Sequence, residues 1–205
     1  IRREVSALHW PEDQQVDPAA VDKVLREDPA IEHVVVVHCE TTTGILNDMV
    51  AIGRITQAHE RHLIIDGMSA FGAIPIDGDS VPFDALIASS NKCFEGVPGM
   101  AFALIARKWL ELAEGNAHSV SLDLYEQWRG LEANGQWRFT PPTHVLAAFD
   151  QALKEHGEEG GVAARHARYS ANRDILVQGM RALGFETLLP DAVQAPIIVT
   201  FVMPA

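Results

Sequence analysis

The chain has 205 residues, of which 47% are hydrophobic, so it is long enough to bury a sizeable core in one or two domains. Its net charge of −12 and pI near 5.1 exclude the basic surface by which proteins bind nucleic acid or anionic membranes, and no apolar run approaches the ~20 residues that cross a bilayer. The two cysteines, Cys39 and Cys93, form no spaced framework, and we therefore expect a cytoplasmic protein that acts on small molecules.

The first half of the chain predicts strands that alternate with helices. Asp17 and Pro18 suit the N-cap and first position of a helix, and four valines after His33 predict a strand buried on both faces. A helix from about 48 to 62 leads to the apolar run HLIID, and FDALIASSNK and MAFALIARK supply two more strands. Only CFEGVPG separates these last two, which is too short for a helical crossover, so we expect them to be antiparallel.

The second half predicts mainly helices. An apolar stripe that includes Tyr169, Leu176 and Met180 marks the longest of them, and Gly184 suits its C-cap. The glycine-rich stretch 155–161 is the candidate linker, so we predict a large domain over 1–157 and the start of a small domain over 158–205. Because the chain opens on Ile1 and closes on an apolar run, we expect it to be an internal segment of a longer protein.

The predicted fold class is α/β, with a mixed, mostly parallel sheet and helices on both faces. Ligands bind at the carboxyl ends of the strands in such sheets, where Asp66 and Lys92 both lie. A lone lysine in a loop most simply points into water. Paired with a carboxylate on the neighbouring strand, however, it has the groups that pyridoxal phosphate needs: an amine for the aldehyde and a carboxylate for the pyridine nitrogen.

Four segments together resemble one enzyme family: HCETTTGILN, IIDGMSAFGAIPID, ASSNKCFEGVPG and DLYEQWRGLEANGQWRFTPPTH. They closely resemble the 2-aminoethylphosphonate–pyruvate aminotransferases, within the class V, fold-type I pyridoxal phosphate enzymes, and the resemblance runs over essentially the whole chain. It implies the large domain of that fold, transfer of an amino group from 2-aminoethylphosphonate to pyruvate with release of phosphonoacetaldehyde and alanine, and a homodimer with its site at the subunit interface.

The resemblance also implies roles for individual residues. The lysine of the SSNK motif, Lys92, would bind the cofactor covalently, and Asp66 would pair with its pyridine nitrogen. Thr43 in ETTTG would contact the cofactor's phenolic oxygen or the substrate, and Asn91 would approach the phosphate, although a turn residue explains Asn91 equally well. Thr140 and Thr143, in the segment RFTPPTH, are both candidates for reaching the phosphate of the partner subunit.

Other reactive side chains have simpler interpretations. His59, Glu60 and His62 lack a further ligand and predict a solvated helix face rather than a metal site. Cys93 has no base beside it in sequence and predicts a packed thiol. Trp128 and Trp137 flank a predicted helix, and we expect their side chains to pack that helix against the protein. A contact with a partner subunit is the alternative.

The resemblance has gaps that leave alternatives open. The family's N-terminal phosphate-binding loop and C-terminal substrate-binding arginine have no counterpart in the chain, and ILNDMVAIG lacks the proline turn expected after ILN. We therefore expect the isolated chain to bind pyridoxal phosphate weakly and to turn over little. The alternatives are a related class V aminotransferase that uses alanine or serine and glyoxylate, and a catalytically inert or dimer-forming fragment.

Overall fold

A computed structural model describes residues 4–204 of the chain. Within these residues the helices are α1 (Pro18–Glu27), α2 (Met49–Ala58), α3 (Arg107–Glu111), α4 (Leu124–Asn134), α5 (Thr143–Glu159) and α6 (Gly161–Ala182). The strands are β1 (His33–Val37), β2 (His62–Asp66), β3 (Ala85–Ser89), β4 (Ala101–Ile105), β5 (Glu186–Thr187) and β6 (Phe201–Val202). No helix in this range is long and apolar enough to cross a bilayer.

The main sheet has the order β1-β2-β3-β4. Strands β1, β2 and β3 are parallel, and β4 is antiparallel to β3, as the short connection predicted. The register places Val37 beside Asp66 and Asp66 beside Ile87. The predicted mixed, mostly parallel sheet is confirmed, and its three parallel strands end at one edge.

The first two helices begin where the sequence predicts. Asp17 Oδ1 accepts a hydrogen bond from Ala19 N at 2.9 Å, and Asp48 Oδ1 accepts one from Ala51 N at 2.9 Å. Helix α2 ends earlier than predicted, at Ala58, because Glu60 has a positive φ of 55° and His62 already belongs to β2.

The core fills one face of the sheet. Val36, Leu63, Ile65 and Leu86 point to this face, where they pack with residues of α2, including Ile52. On the opposite face Val35 is 70% exposed. The expectation that β1 is buried on both faces is therefore wrong for the described residues, because nothing in this range packs over the face that carries Val35.

The predicted linker is mostly helical. Helix α5 continues to Glu159, and the break before α6 is confined to Gly160 and Gly161, whose φ angles are 111° and 70°. Such angles suit glycine because it has no Cβ to clash. Helix α6 contacts β5, which pairs antiparallel with β6. The domain boundary at 157/158 stays a prediction.

Candidate active site

Three loops meet at the carboxyl edge of the sheet. The loop with Thr41 and Thr43 follows β1, Asp66 is the last residue of β2, and the loop with Lys92 follows β3. Because neighbouring strands of a sheet lie about 4.8 Å apart, side chains just beyond these strands share one region of the surface. The topology thus brings the Asp66 and Lys92 loops side by side, as the sequence predicted.

Asp66 is half-buried and fixed by its own turn. Its Oδ1 accepts a hydrogen bond from Met68 N at 2.9 Å, while its backbone oxygen accepts one from His38 N at 2.9 Å. The carboxylate forms no ion pair with any residue in 4–204. No ion pair within the described range therefore occupies the Asp66 carboxylate, which can bind a cationic ligand group.

Lys92 lies in a tightly closed loop. Glu95 N donates to Lys92 O at 2.8 Å, and Gly96 N donates to Ser90 O at 2.9 Å. Ser90 Oγ also donates to Val97 O at 2.7 Å. The Lys92 side chain is exposed and has no acidic partner in the described part of the chain, so its amine is accessible on a well-defined backbone.

Ser69 joins the three loops, and sequence reasoning missed it. Its hydroxyl lies 2.9 Å from that of Thr41, and its backbone oxygen accepts a hydrogen bond from Cys93 Sγ at 3.1 Å. Ser69 is 6% exposed. Its place in the motif that begins at Asp66 was the available signal, but only the fold shows that it bridges the loops after β1 and β3.

The other residues implied by the resemblance lie at different depths. Thr43 is 2% exposed, and its Oγ1 accepts a hydrogen bond from Ile45 N at 3.4 Å, so in this conformation it supports its own loop. Asn91 is half-buried, and its side chain makes no hydrogen bond within residues 4–204. The predicted cofactor contacts of both residues stay predictions.

Thr140 lies just before α5, and Thr143 lies at its start. Both are exposed, and Thr143 is the first residue of α5. Across the described range neither threonine is hydrogen-bonded to Asp66 or Lys92. The structure does not distinguish between the two threonines, and their predicted contact with a partner subunit stays a prediction.

The histidines around the α2–β2 turn have separate partners. His59 Nε2 lies 2.7 Å from Asp22 Oδ1, and His62 Nδ1 lies 3.3 Å from Asp84 Oδ2. The His62 ring also packs edge-on against Trp109 at a centroid distance of 4.1 Å. These contacts give both imidazoles structural roles on different sides of the turn.

Cys93 is a packed thiol. It is 1% exposed, and burial raises its pKa to about 12, which keeps it protonated at neutral pH. A thiol in that state is a poor nucleophile, so the geometry favours the interpretation of Cys93 as a packing residue and leaves Lys92 as the accessible nucleophile of its loop.

Two buried polar atoms near this edge have no partner among residues 4–204: Ser89 Oγ and His38 Nδ1. Ser89 ends β3 on the same sheet face as Asp66, and His38 follows β1. Burial lowers the pKa of His38 to about 4, so its ring is neutral at neutral pH. Unpaired buried polar atoms at the ends of β1 and β3 suit a ligand that carries several polar groups, as pyridoxal phosphate does.

Curated proteins that are named 2-aminoethylphosphonate–pyruvate transaminase match nearly the whole chain. The 2-aminoethylphosphonate–pyruvate transaminase of Pseudomonas putida is 53% identical over 98% of the chain and 55% of its own length. That of Cupriavidus necator is 55% identical over 97% of the chain and 52% of its own length. The chain thus spans about half the length of the curated relatives that it matches.

The fold matches that of an aminotransferase of known structure. Pyridoxamine–pyruvate aminotransferase from Mesorhizobium loti superposes with a TM-score of 0.87 at 26% identity, over 96% of the chain and 51% of that protein. The predicted fold class, a partial large domain of the fold-type I aminotransferases, is thereby confirmed. The sequence model of the aminotransferase class-V family matches residues 2–205 of the chain. The chain belongs to the class-V aminotransferase family.

Proposed function

We propose that the chain carries the catalytic lysine and the cofactor-binding aspartate of a pyridoxal phosphate-dependent aminotransferase, with 2-aminoethylphosphonate as amino donor and pyruvate as acceptor. One observation carries the chemistry: Asp66 ends one of two adjacent parallel strands and Lys92 follows the other, and neither side chain is used in an ion pair within residues 4–204. The choice of substrates rests on relatives of that name at 53% and 55% identity.

Each residue has a defined task in this proposal. Pyridoxal phosphate, when bound, supplies the aldehyde that takes the amino group and the ring that accepts electrons from the substrate carbon. Lys92 anchors it through the amine, and once displaced by the substrate that amine moves a proton at the substrate carbon next to the nitrogen. The Asp66 carboxylate holds a positive charge at the ring nitrogen.

The surrounding groups orient the ligand. Ser89 Oγ and His38 Nδ1 are unpaired and buried, so each gains a hydrogen bond if a polar ligand group reaches it. Asn91 directly precedes Lys92, and in this proposal its side-chain amide binds a phosphate oxygen. Thr43 supports its own loop, which follows β1, and would contribute its hydroxyl to the ligand if that loop opened.

We propose further that the active protein is a homodimer. The segment around α4 leaves apolar side chains exposed: Leu112, Val120, Leu122, Trp137 and Phe139. Apolar side chains concentrated on one segment favour burial against another protein surface. Thr140 follows this segment directly and is not hydrogen-bonded to Lys92 of its own chain within the described residues, and we infer that a second copy is the partner whose site it would reach.

The test uses the full-length protein that contains this chain, loaded with pyridoxal phosphate. Alanine formation from 2-aminoethylphosphonate and pyruvate is compared with transfer from alanine or serine to glyoxylate at equal concentrations. We expect the phosphonate reaction to be faster by at least two orders of magnitude, in keeping with sites built for a charged substrate group. Faster transfer to glyoxylate would overturn the choice of substrates.

The lysine assignment has its own test. Borohydride reduction of the loaded protein, followed by peptide mapping, is expected to place one cofactor per chain on Lys92, and Lys92→Ala is expected to abolish the adduct. Label on another lysine would overturn the assignment whichever substrates are used. The isolated 205-residue chain is expected to take up less label, because relatives extend to nearly twice its length.

A further inference from the structure

A buried arginine from α6 contacts the loop that carries Lys92. Arg165 is 2% exposed, and its Nη1 donates to the backbone oxygen of Cys93 at 2.5 Å. Cys93 immediately follows Lys92, and 72 residues separate it from Arg165. Helix α6 thus supports the lysine loop through the peptide adjoining Lys92.

Carboxylates on both sides of Arg165 hold it in place. Glu159 Oε2 accepts a hydrogen bond from Arg165 Nε at 2.7 Å and lies 2.6 Å from Arg165 Nη2, and Glu95 Oε2 lies 3.5 Å from Arg165 Nη1. The hydrogen bond from Arg168 lowers the pKa of Glu159 to about 2, and Arg165 adds to that effect. Glu159 is therefore ionised at any ordinary pH, and the guanidinium keeps one orientation.

Glu95 links the same helix to the far end of the loop. Its φ of 60° is an unusual backbone conformation for a residue with a side chain. Its Oε1 accepts from Tyr169 Oη at 2.6 Å and from Arg168 Nη2 at 2.9 Å. Burial by itself would raise the pKa of Glu95, but these hydrogen bonds outweigh it and keep the pKa below its usual value.

Stability alone does not explain this arrangement. A buried ion pair costs desolvation energy that its Coulomb attraction scarcely repays, so apolar residues would hold the helix to the loop equally well. Backbone hydrogen bonds already close the loop between Ser90 and Gly96. The charged contacts add a fixed position of the loop relative to α6, because charge-assisted hydrogen bonds are directional.

We propose that Glu95, Glu159, Arg165, Arg168 and Tyr169, here called the Arg165 cluster, are positioning residues that fix the Lys92 loop and set the orientation of its amine. The cluster spans the predicted boundary between the large and small domains, so helix α6 and the lysine loop move together. The inference rests on the proposed function in one respect, namely that Lys92 is the residue that binds pyridoxal phosphate.

The experiment compares conservative variants in the full-length protein. Tyr169→Phe removes one hydroxyl from Glu95, and Arg165→Lys keeps the charge but loses the forked contacts to Glu159 and Cys93. Arg181→Gln is the matched control, since Arg181 lies on the same helix and pairs with Asp191 at 2.6 Å, away from the loop. Amide hydrogen exchange over residues 90–97 is measured without cofactor, and the rate of pyridoxal phosphate release is measured with it.

We expect exchange over residues 90–97 to accelerate on the order of tenfold in Tyr169→Phe and in Arg165→Lys, with little change in Arg181→Gln. Cofactor release should accelerate in parallel, and the pH midpoint of the bound cofactor's absorbance should shift in Arg165→Lys but not in the control. If Arg165→Lys loosens the whole protein, Tyr169→Phe alone decides the question.

Unchanged exchange in Tyr169→Phe, with release and pH midpoint as in the unmodified protein, would overturn the inference. The exchange measurement needs neither cofactor nor substrate. Accelerated exchange together with no transfer from 2-aminoethylphosphonate would therefore count against the proposed function alone. Normal transfer with unchanged exchange would count against the positioning role alone.

Discussion

Gly96→Ala is the sharpest test of the Lys92 loop, because the new methyl group has no room. An ideal Cβ on Gly96 would lie 2.7 Å from the backbone oxygen of Ser90, well inside van der Waals contact. The same oxygen accepts the hydrogen bond from Gly96 N at 2.9 Å, so relieving the clash also stretches the bond that closes the loop. Backbone atoms lie on both sides of the contact, and no side-chain rotation can relieve it.

The expected cost follows from these two effects. Overpacking a tight site costs about 1–3 kcal/mol, and a weakened hydrogen bond adds about 1 kcal/mol. At about 2–4 °C per kcal/mol for a domain of this size, Gly96→Ala should lower the melting temperature by several degrees. Borohydride labelling of Lys92 should fall as well, because the shifted backbone moves the amine.

Gly179→Ala is the matched control. Gly179 lies inside α6 with nothing within 4 Å of an added Cβ, so alanine should stabilise the helix by about 0.5–1 kcal/mol. Substitution of glycine by alanine is thus expected to lower the stability of the protein at Gly96 and to raise it at Gly179. Calorimetry and peptide mapping of both variants in the full-length protein provide the measurement. A melting temperature and Lys92 labelling unchanged by Gly96→Ala would refute the steric reasoning.

Three further predictions concern charge and reactivity. Asp66→Asn keeps the shape of the side chain but removes its charge, so the rate of amino transfer should fall on the order of 10²-fold or more while the melting temperature changes little. Steady-state kinetics and calorimetry provide the measurement. A retained rate would show that Asp66 only caps its turn. The folded pKa of Glu159 is about 2 against an ordinary value of 4.5, so its stabilising effect is complete above about pH 4.5 and is lost as the pH falls through 2. Glu159→Gln should flatten the pH dependence of urea unfolding over that interval, and an unchanged slope would contradict the assignment. Burial raises the pKa values of Cys39 and Cys93 to about 12, so iodoacetamide at pH 8 should label both thiols only after unfolding. Rapid labelling of either thiol in the native protein would show that the loop carrying it opens.

Local chemistry explains why the first half of the fold was predictable. Asp17 and Asp48 cap the helices that follow them because an N-cap bond joins residues only two or three positions apart. The antiparallel pairing of β3 and β4 follows from a connection too short for a crossover. Asp66 and Lys92 lie near each other because parallel strands end at the same edge.

Elements that depend on distant contacts were not predictable in the same way. The exposure of Val35 depends on which elements pack over that face of the sheet, and an apolar run is compatible with a covered or an uncovered face. The glycine-rich stretch predicted as a linker is helix up to Glu159, and its buried His156 packs on Phe94 and lies 2.7 Å from the backbone oxygen of Gly72. Tertiary packing overrides weak local propensity in such segments.

The sequence by itself determined the amine and the carboxylate, since their motifs and spacing place Lys92 and Asp66 after neighbouring strands. Only the tertiary structure placed Ser69 between the loops and brought Arg165 into contact with the backbone of Cys93, the residue after Lys92. The physical reason is the range of the interactions: caps and turns act over a few residues, whereas the contact from Arg165 to Cys93 spans 72. No local pattern marks such an arginine, because its partners become neighbours only when α6 packs against the loop that follows β3.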